Sequence, residues 1–318
     1  MKKLSFIIPC YRSEDTIRPV IDEIVSVVES NHNYTYEIIC INDCSPDNVF
    51  EVLKDIATNN HHVKVINLAK NMNKPGAEMA GLSKVSGDYV VFLDDDGQCP
   101  IPNIWKMINK LDEGYDACFA KYTEYKQSLF KSFGTIVNRK MTEYVIGKPK
   151  EVTFTNFAVI KRYIIDEMVK YKNPYPYMEG ILLGITRNIV NIPMEERKRM
   201  EGTSTFTFKK LLGLWLNGFT AFSIKPLRLS SIIGVIIALL GFIYGLIMII
   251  KKIINPLYIL EGYTSLIAIL LFVSGIIMIL LGMIGEYIGR IYICLNNTPQ
   301  YVIKEEINFD KDKDNEKR

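Results

Sequence analysis

Two long uncharged runs near the C-terminus constrain the fold of this chain more than any other feature of its sequence. The first covers the 22 residues 229–250 and the second covers the 24 residues 262–285. A helix needs about 20 apolar residues to cross the hydrocarbon layer of a membrane. Buried helices of soluble proteins rarely run so long without polar residues. The sequence therefore predicts two transmembrane helices, at about 230–250 and 263–286.

The short connector between the runs contains Asn255-Pro256, a pair typical of a turn, so the two helices form an antiparallel hairpin over 229–289. Four basic residues flank the outer ends of the pair and two lie in the connector, which favours both ends in the cytoplasm. Residues 206–228 combine apolar side chains, a tryptophan and a basic edge, which predicts an interfacial helix lying on the membrane. Residues 290–318 are interpreted as a charged cytoplasmic tail.

Residues 1–120 alternate strand and helix patterns, and residues 1–205 are predicted to form a cytoplasmic α/β domain. Four apolar runs have the length and β-branched content of strands, and the segments between them repeat apolar residues at helical spacing. Such alternation indicates a mostly parallel sheet with helices on both faces. The four runs are 4–8, 36–41, 63–68 and 88–93.

Polar and aromatic residues follow three of these strands, at the edge where ligands of open α/β sheets bind. Pro9 to Tyr11 end the first strand, Asp43 follows the second, and Asp94-Asp95-Asp96 follow the fourth. On an extended segment Asp94 and Asp96 point the same way, so they can share a Mg²⁺ or Mn²⁺ ion bound to a diphosphate. A solvated turn is the alternative for the aspartates, and a simple turn role is the alternative for Asp43.

Several classes of ligand are disfavoured. Neither GxGxxG nor GxxxxGK[ST] follows a strand, which argues against dinucleotide-binding and P-loop domains. The net charge of +3 is too small to indicate nucleic acid. Six cysteines without a CxxC pair and only three histidines fit a reduced, cytosol-facing protein and argue against a zinc site.

Taken in order, the motifs resemble those of family 2 glycosyltransferases. The resemblance is to the polyisoprenyl-phosphate branch, which includes dolichol-phosphate mannose synthases and bacterial undecaprenyl-phosphate sugar transferases. It runs through nearly the whole chain and implies a GT-A-type fold. The segments that carry it are FIIPCYRSEDTI, INDCSPD, KNMNKPGAEMAGLSKVSGD, LDDDGQCP and ERKRMEGTSTFT, followed by SIKPLR before the first membrane helix and GEYIGRIY after the second.

The resemblance also implies roles for individual residues. Asp94 and Asp96 are implied to be catalytic and to hold the metal, and Asp43 is implied to bind uracil. Apart from the resemblance, an anionic lipid headgroup needs cationic partners, and residues 121–150 hold seven Lys or Arg against two acids. The residues expected to meet the acceptor phosphate are Arg199, Ser204, Lys131 and Arg139, and a solvated basic face is the alternative for the lysines. The nucleotide-binding residues implied by the motifs are Pro9, Tyr11, Glu14, Asp43, Lys70, Asn71, Asp94 and Asp95.

Three positions depart from the family pattern. Asn73 stands where a glycine is usual, and because asparagine tolerates a left-handed backbone we expect the turn to be kept. Phe206 replaces a tyrosine and loses its hydroxyl. Asn156 occupies the position of a carboxylate proposed as catalytic base in relatives, and an amide cannot take up a proton. That change suits a phosphate acceptor, which is already ionised near neutral pH. Glu179 is a remote alternative for positioning acceptor or sugar.

The implied activity is inverting, metal-dependent transfer of a sugar from a nucleotide diphosphate-sugar to a polyisoprenyl phosphate at the cytoplasmic face of the cell membrane. UDP-sugar is the expected donor and undecaprenyl phosphate the expected lipid, and a homo-oligomer is possible. A processive polysaccharide synthase is an alternative, but no glutamine is part of the QxxRW motif typical of that class. A non-catalytic, membrane-tethered nucleotide-binding scaffold is the other alternative, favoured by Asn156 and disfavoured by the intact pair of Asp94 and Asp96.

Overall fold

The structure, a computed structural model, describes residues 1–122, 148–197, 263–296 and 298–309, with single positions between 234 and 254. The chain divides into two compact units. The first comprises Met1–Phe206 together with Asn297–Arg318, and the second comprises Thr207–Asn296. The interfacial helix predicted at 206–228 lies outside the described residues.

The described part of the first unit is built on an eight-stranded sheet with the order β7-β5-β6-β4-β1-β2-β3-β8. The strands are β1 (Lys2–Cys10), β2 (Tyr34–Asn42), β3 (Val63–Leu68), β4 (Tyr89–Phe92), β5 (Ala117–Tyr122), β6 (Ala158–Lys161), β7 (Ile189–Met194) and β8 (Ile303–Ile307). The helices are α1 (Ile17–Glu29), α2 (Val49–Asn59), α3 (Asn73–Leu82), α4 (Ile104–Asp112), α5 (Arg162–Met168) and α6 (Met178–Ile185), and a single 3₁₀ turn, Ile101–Asn103, precedes α4.

Strand β1 lies at the centre of the sheet and pairs in parallel with β2 on one side and β4 on the other. Strand β2 pairs in parallel with β3, and β5 with β7, whereas β6 runs antiparallel to both of its neighbours. The central strands are buried on both faces, which is why their sequences are continuous apolar runs rather than alternating ones. The four strands predicted in the first 93 residues are all present.

Helices cover both faces of the sheet, as the sequence predicted. The buried faces of α1, α2 and α4 pack in one core with Phe6 and Ile8 of β1. Helix α3 lies on the opposite face, where Gly81 packs against Ile7 and Ile41. A Cβ atom added at Gly81 would stand 2.8 Å from the Cδ1 atom of Ile41, so this position admits no larger side chain without a shift of that isoleucine.

The second unit contains a 33-residue helix, α7 (Tyr263–Leu295). Its segment Val273–Leu295 is, within the described residues, the one helix long and apolar enough to cross a membrane by length and composition, with a mean hydropathy of 1.7 over its best window. The described positions of the first apolar run, from Gly234 to Ile250, are helical, and the rest of that run lies outside the described residues.

The C-terminal segment corrects one expectation from the sequence. Residues 290–318 are not simply a charged tail, because α7 continues to Leu295 and β8 then pairs antiparallel with β3. The backbone groups on the open edge of β3 need partners, and a five-residue strand supplies them despite its three charged side chains. Side chains fix the segment as well. Gln300 donates to the backbone carbonyls of Tyr171 and Asn173, and Lys84 pairs with Glu306 at 3.3 Å.

A buried charge stabilises the edge of the sheet opposite the carboxyl ends of its parallel strands. Glu37 of β2 is 1% exposed, and its carboxylate accepts hydrogen bonds from Lys3, Lys64, Ser5 and Ser86. Burial acts to raise the pKa of Glu37, but the hydrogen bonds and charges around it outweigh burial and lower the pKa to about 2. This residue is therefore ionised in the folded chain and bound to two ammonium groups.

We expect Glu37→Gln to lower the free energy of unfolding at pH 7 by about 2–4 kcal/mol, because Lys3 and Lys64 lose a buried counter-charge. The folded-state pKa lies below the unfolded one, so this stabilisation is present above pH 4.5 and is lost as the pH falls from about 4.5 to 2. Denaturant unfolding of the full chain in detergent, followed by circular dichroism across this range, measures both effects. The control is Asp55→Asn in the exposed Arg18–Asp55 pair, which should cost less than about 1 kcal/mol. Equal losses in the two variants would contradict the assignment.

Candidate active site

Three strand ends are joined by hydrogen bonds at the carboxyl edge of the parallel part of the sheet. The backbone N–H of Asp43 donates to the carbonyl of Cys10 at 3.1 Å, which joins the end of β2 to the end of β1. The backbone N–H of Tyr11 donates to Oδ2 of Asp95 at 3.1 Å, which joins β1 to the segment after β4. The residues predicted to meet at this edge do meet there.

Asp43 is 3% exposed, although it ends a strand at the surface edge of the sheet. Its Oδ1 atom accepts the backbone N–H of Met72 at 2.6 Å, and its own carbonyl accepts the side-chain amide of Asn71 at 3.0 Å. Burial raises the pKa of Asp43 to about 6, against the opposing effect of the backbone hydrogen bonds from Met72 and Asn73. This carboxyl is therefore an ionised acceptor at pH 7 that becomes protonated under mildly acidic conditions.

The loops after β1 and β2 are held to each other. The backbone N–H of Arg12 donates to Oγ of Ser45 at 2.8 Å, and the carboxylate of Glu14 accepts the backbone N–H of Asn48 at 2.9 Å. The Glu14 carboxylate thus fixes the start of α2, although the resemblance implied contact with the nucleotide. Tyr11 is 43% exposed beside this loop pair, and the guanidinium carbon of Arg12 lies 5.6 Å from the centroid of its ring.

The three aspartates after β4 make different contacts. Asp95 binds the end of β1, and burial raises its pKa to about 6. Asp94 contacts Lys74 of α3 through one carboxylate oxygen and the side-chain amide of Asn156 through the other. Oδ1 of Asp96 accepts the backbone N–H of Gln98 at 3.1 Å.

Asp94 and Asp96 do not lie on the extended segment that was expected from the sequence. Strand β4 ends at Phe92, and Asp95 and Asp96 lie in a turn that continues through Gly97 at φ 75°. The turn forms because Gly97 accepts a left-handed backbone and Asp96 hydrogen-bonds to the N–H two residues ahead.

The donor set at Asp94 and Asp96 suits a hard divalent cation that also binds phosphate. Both residues offer carboxylate oxygens, are partly exposed and follow the same strand. Asp94 already attracts one cation, the ammonium group of Lys74. Within the described residues no group of three or more His, Cys, Asp or Glu side chains is arranged to hold a metal alone. Two carboxylates would leave coordination positions of such a cation open to further oxygen ligands, such as phosphate oxygens.

A cavity of about 140 Å³ opens beside Asp94, between α3, α6 and the sheet. Lys74 and Asn156, both in contact with Asp94, form part of its wall. Glu78 of α3 and Glu179 at the start of α6 line it as well, and burial raises the pKa of each carboxyl, that of Glu78 to about 8. The remaining walls are mainly apolar: Pro75, Phe92, Phe119, Ala158, Ile160, Met168, Met178 and Leu182, with Thr155 as a polar exception.

Not every predicted site residue falls within this region of the structure. Pro9 is the penultimate residue of β1, and Lys70 is exposed in the bend after β3. The acceptor-phosphate residues Lys131, Arg139, Arg199 and Ser204 lie outside the described residues, as does Phe206. The segment that leads to Arg199 is described as far as Arg197, whose backbone N–H donates to the carbonyl of Gln98 at 3.2 Å. That segment thus passes next to the aspartate turn.

Two residues of the site were not identified from the sequence. Lys74 and Glu78 lie one helical turn apart on α3, with their charged groups 3.9 Å from each other. The available signal was a Lys-x-x-x-Glu spacing at the start of a helix that follows a parallel strand. The same spacing is common on solvated helix faces, so it did not distinguish a cavity wall from a surface ion pair.

Two protein-family models match this chain, one in its N-terminal part and one near its C-terminus. The family model described as Glycosyl transferase family 2 matches residues 5–169, and a model described as GtrB C-terminal hairpin matches residues 225–291. The second match spans both apolar runs.

Curated relatives are similar over almost the whole chain. An undecaprenyl-phosphate 4-deoxy-4-formamido-L-arabinose transferase of Klebsiella pneumoniae is 30% identical, with 96% of this chain and 93% of the relative covered. An SfII prophage-derived bactoprenol glucosyl transferase of Shigella flexneri is 33% identical, with 95% and 98% covered.

Among solved structures, glucosyl-3-phosphoglycerate synthase from Mycobacterium tuberculosis, in complex with Mn²⁺, UDP-glucose and phosphoglyceric acid, has a similar fold. The TM-score is 0.52 at 19% identity, and the match covers 70% of this chain and 78% of that one.

Substitution of Asn73 tests whether the left-handed backbone beside the Asp43 hydrogen bond requires asparagine or glycine. The φ of Asn73 is 60°, as expected from its position in place of a glycine, and the adjacent N–H of Met72 binds Asp43. We expect Asn73→Ala to lower the free energy of unfolding by about 1 kcal/mol and Asn73→Gly to change it by less than about 0.5 kcal/mol. Asn109→Ala, an exposed position within α4, is the matched control and should be neutral or slightly stabilising. Equal effects of alanine at positions 73 and 109 in denaturant unfolding would contradict this reading.

Proposed function

The chain belongs to the family 2 glycosyltransferases, and from this premise we propose that it transfers a sugar from a UDP-sugar to a polyprenyl phosphate at the cytoplasmic face of the membrane. The observation that carries the proposal is the meeting of Asp43, Tyr11 and the aspartate turn at one edge of the sheet. The curated relatives support the acceptor class, since their names describe transferases that use undecaprenyl phosphate or bactoprenol.

The nucleotide is assigned to the side of the edge formed by β1 and β2. Asp43 accepts a hydrogen bond from the imide N–H of uracil, and the exposed ring of Tyr11 offers a stacking surface to the base. A buried carboxylate that already accepts a backbone N–H is held in one orientation, which favours a base with a donor at that position. The similar fold of the mycobacterial synthase, which was crystallised with UDP-glucose, is compatible with this assignment.

The diphosphate is assigned to the aspartate turn, where Asp94 and Asp96 would hold Mg²⁺ or Mn²⁺ together with phosphate oxygens. The metal, when bound, supplies positive charge against the leaving diphosphate. Lys74 lies in contact with Asp94 and supplies a second cation at the same place. The chain's own contribution here is to position these charges before the reaction, so that none has to reorganise during it.

The acceptor is proposed to be a lipid phosphate rather than a sugar hydroxyl. One of its oxygens attacks the anomeric carbon from the face opposite the diphosphate, the bond from that carbon to the diphosphate oxygen breaks, and UDP leaves with inversion of configuration. A phosphate monoester is largely ionised near pH 7 and needs no base to become a nucleophile. Asn156 donates its amide hydrogen to Asp94 and is therefore a positioning residue for the aspartate turn, not a base.

The membrane part is proposed to be a two-helix hairpin over 229–289 that brings the lipid acceptor and the catalytic domain to the same membrane surface. The support is the match of the hairpin model to 225–291 and the length and hydropathy of Val273–Leu295. The basic segment 121–150 and Arg199 are the proposed contacts for the lipid phosphate. A homo-oligomer is compatible with this arrangement.

The direct test is transfer by the purified chain in detergent, with a panel of UDP-sugars and undecaprenyl phosphate. We expect UDP release that requires both lipid phosphate and a divalent cation, and that stops with EDTA and returns with Mg²⁺ or Mn²⁺. Asp96→Asn should lower kcat by about 10²-fold or more, because the metal loses an anionic ligand. Asp55→Asn, which makes the same change on the exposed face of α2, should transfer at the wild-type rate. Full activity of Asp96→Asn would disprove the metal assignment, and UDP release without lipid phosphate would disprove the acceptor.

If Asp43 binds the base of the nucleotide, the affinity for a UDP-sugar should depend on pH. The Asp43 pKa of about 6 means that the accepting form prevails above pH 6, so UDP-sugar affinity should fall as the pH is lowered from 7 to 5. Asp43→Asn should weaken binding about 10-fold or more and remove this pH dependence, because a charge-assisted hydrogen bond is replaced by a neutral one. Isothermal titration with a UDP-sugar measures both, since its diphosphate diester does not titrate in this range. An unchanged pH profile in Asp43→Asn would assign the titration to another group.

A further inference from the structure

The cavity beside Asp94 has the composition of a small-ligand site. Its walls are mostly apolar, and a few polar groups converge in it: the ammonium of Lys74, the amide of Asn156 and two carboxyl groups. Pockets of this kind derive their affinity from the apolar walls and their selectivity from the few polar groups. The proposed roles of Asp43 and the aspartate turn leave the two carboxyl groups without a function.

Glu78 is the informative member of this set. It is 7% exposed, its side chain faces the cavity, and the contact made by its carboxylate within the described residues is to Lys74 at 3.9 Å. That separation is too long for a hydrogen bond. A buried carboxyl without a hydrogen-bond partner is costly, whether it is ionised or neutral. The group thus has hydrogen-bonding capacity directed into the cavity that no other group in the described part of the chain uses.

Charge explains why the occupant is uncharged and rich in hydroxyl groups. Among the residues that the structure places in the cavity wall, Lys74 is the one cation, and its ammonium already pairs closely with Asp94. Burial raises the pKa of Glu78 and of Glu179, so both carboxyls favour the neutral form, and the ammonium of Lys74 is already paired, which leaves little in this wall to attract an anion. A neutral group with hydroxyls would satisfy Glu78 in either protonation state, since a protonated carboxyl both donates and accepts.

We propose that this cavity receives the sugar that is transferred, and that Glu78 is the residue that selects it, through a hydrogen bond to a ring hydroxyl away from the anomeric carbon. The inference rests on the function proposed above, which puts the diphosphate at Asp94. The sugar bonded to that diphosphate then extends from Asp94 along the wall formed by Lys74 and Asn156. Glu78 lies one helical turn beyond Lys74 on the same wall of the cavity, so it is assigned to a ring hydroxyl and not to the reacting carbon.

The test combines variants of Glu78 with donor analogues that lack one hydroxyl each. The wild-type chain should prefer the parent UDP-sugar over one of these deoxy analogues by about 10²-fold or more in kcat/KM, because the analogue leaves Glu78 unpaired. In Glu78→Leu this preference should shrink at least 10-fold for that analogue and stay unchanged for the others. Glu78→Gln keeps a donor and an acceptor and should retain most of the selectivity.

Two controls separate this role from a structural one. Glu51→Gln and Glu51→Leu make the same changes on the exposed face of α2 and should leave the selectivity at the wild-type value. Melting temperatures identify any variant that fails to fold. If Glu78→Leu and Glu78→Gln leave every selectivity ratio unchanged, or lower the rates with all donors equally, the inference is overturned.

Binding measurements separate failure of this inference from failure of the proposed function. Isothermal titration gives the affinity of UDP and of each UDP-sugar without requiring transfer. Glu78→Leu should reduce the additional affinity that the sugar gives over UDP alone, and should leave the affinity for UDP itself unchanged. Lack of transfer to lipid phosphate would then refute the acceptor while this result still supports Glu78. If Glu78→Leu leaves the additional affinity of the UDP-sugar over UDP unchanged, the proposed role of Glu78 is refuted, even if the chain is an active transferase.

Discussion

The parallel pairing of β1 with β2 and with β4 is the constraint on which the described site depends. Parallel strands end at the same edge, so residues separated by 84 positions, Tyr11 and Asp95, come within hydrogen-bonding distance. The hydrogen bond from Asp43 to the end of β1 fixes the second pair of ends in the same way. The positions proposed for nucleotide and diphosphate are thus set by the rigid centre of the sheet, and the loops contribute side chains to a frame that already exists.

Burial near this edge makes the carboxyl groups chemically distinct. Asp43 and Asp95 have pKa values raised to about 6, and Glu78 has one raised to about 8, in each case mainly because burial disfavours the charged form. Asp94 differs because it has a cation and an amide as partners. Carboxyl groups can therefore take the different roles proposed for them: acceptor for the base, link between strand ends, cation ligand and hydrogen-bonding wall. Environment and not residue type distinguishes the roles.

The sequence was sufficient for the features that depend on local pattern and strand order. Continuous apolar runs and helical spacing predicted the strands and helices of the first 93 residues, and strand ends identified Asp43 and Asp94 to Asp96 as neighbours. It was insufficient where tertiary context decided. Strand β8 is short and charged, and only the open edge of β3 makes it a strand. The cavity pairs Glu78 with Glu179, residues 101 positions apart on two helices, and no local pattern connects them.

Lys74 is the physical link between the two halves of the site. Its ammonium contacts Asp94 and lies 3.9 Å from Glu78, so one cation serves both the diphosphate position and the wall of the cavity. A divalent cation at Asp94 would compete for that carboxylate and turn Lys74 towards phosphate oxygens or towards Glu78. The charge state of Glu78 would then depend on whether the diphosphate is bound. Recognition of the sugar is therefore expected to be coupled to recognition of the nucleotide, and a free sugar without its diphosphate would meet a differently charged wall.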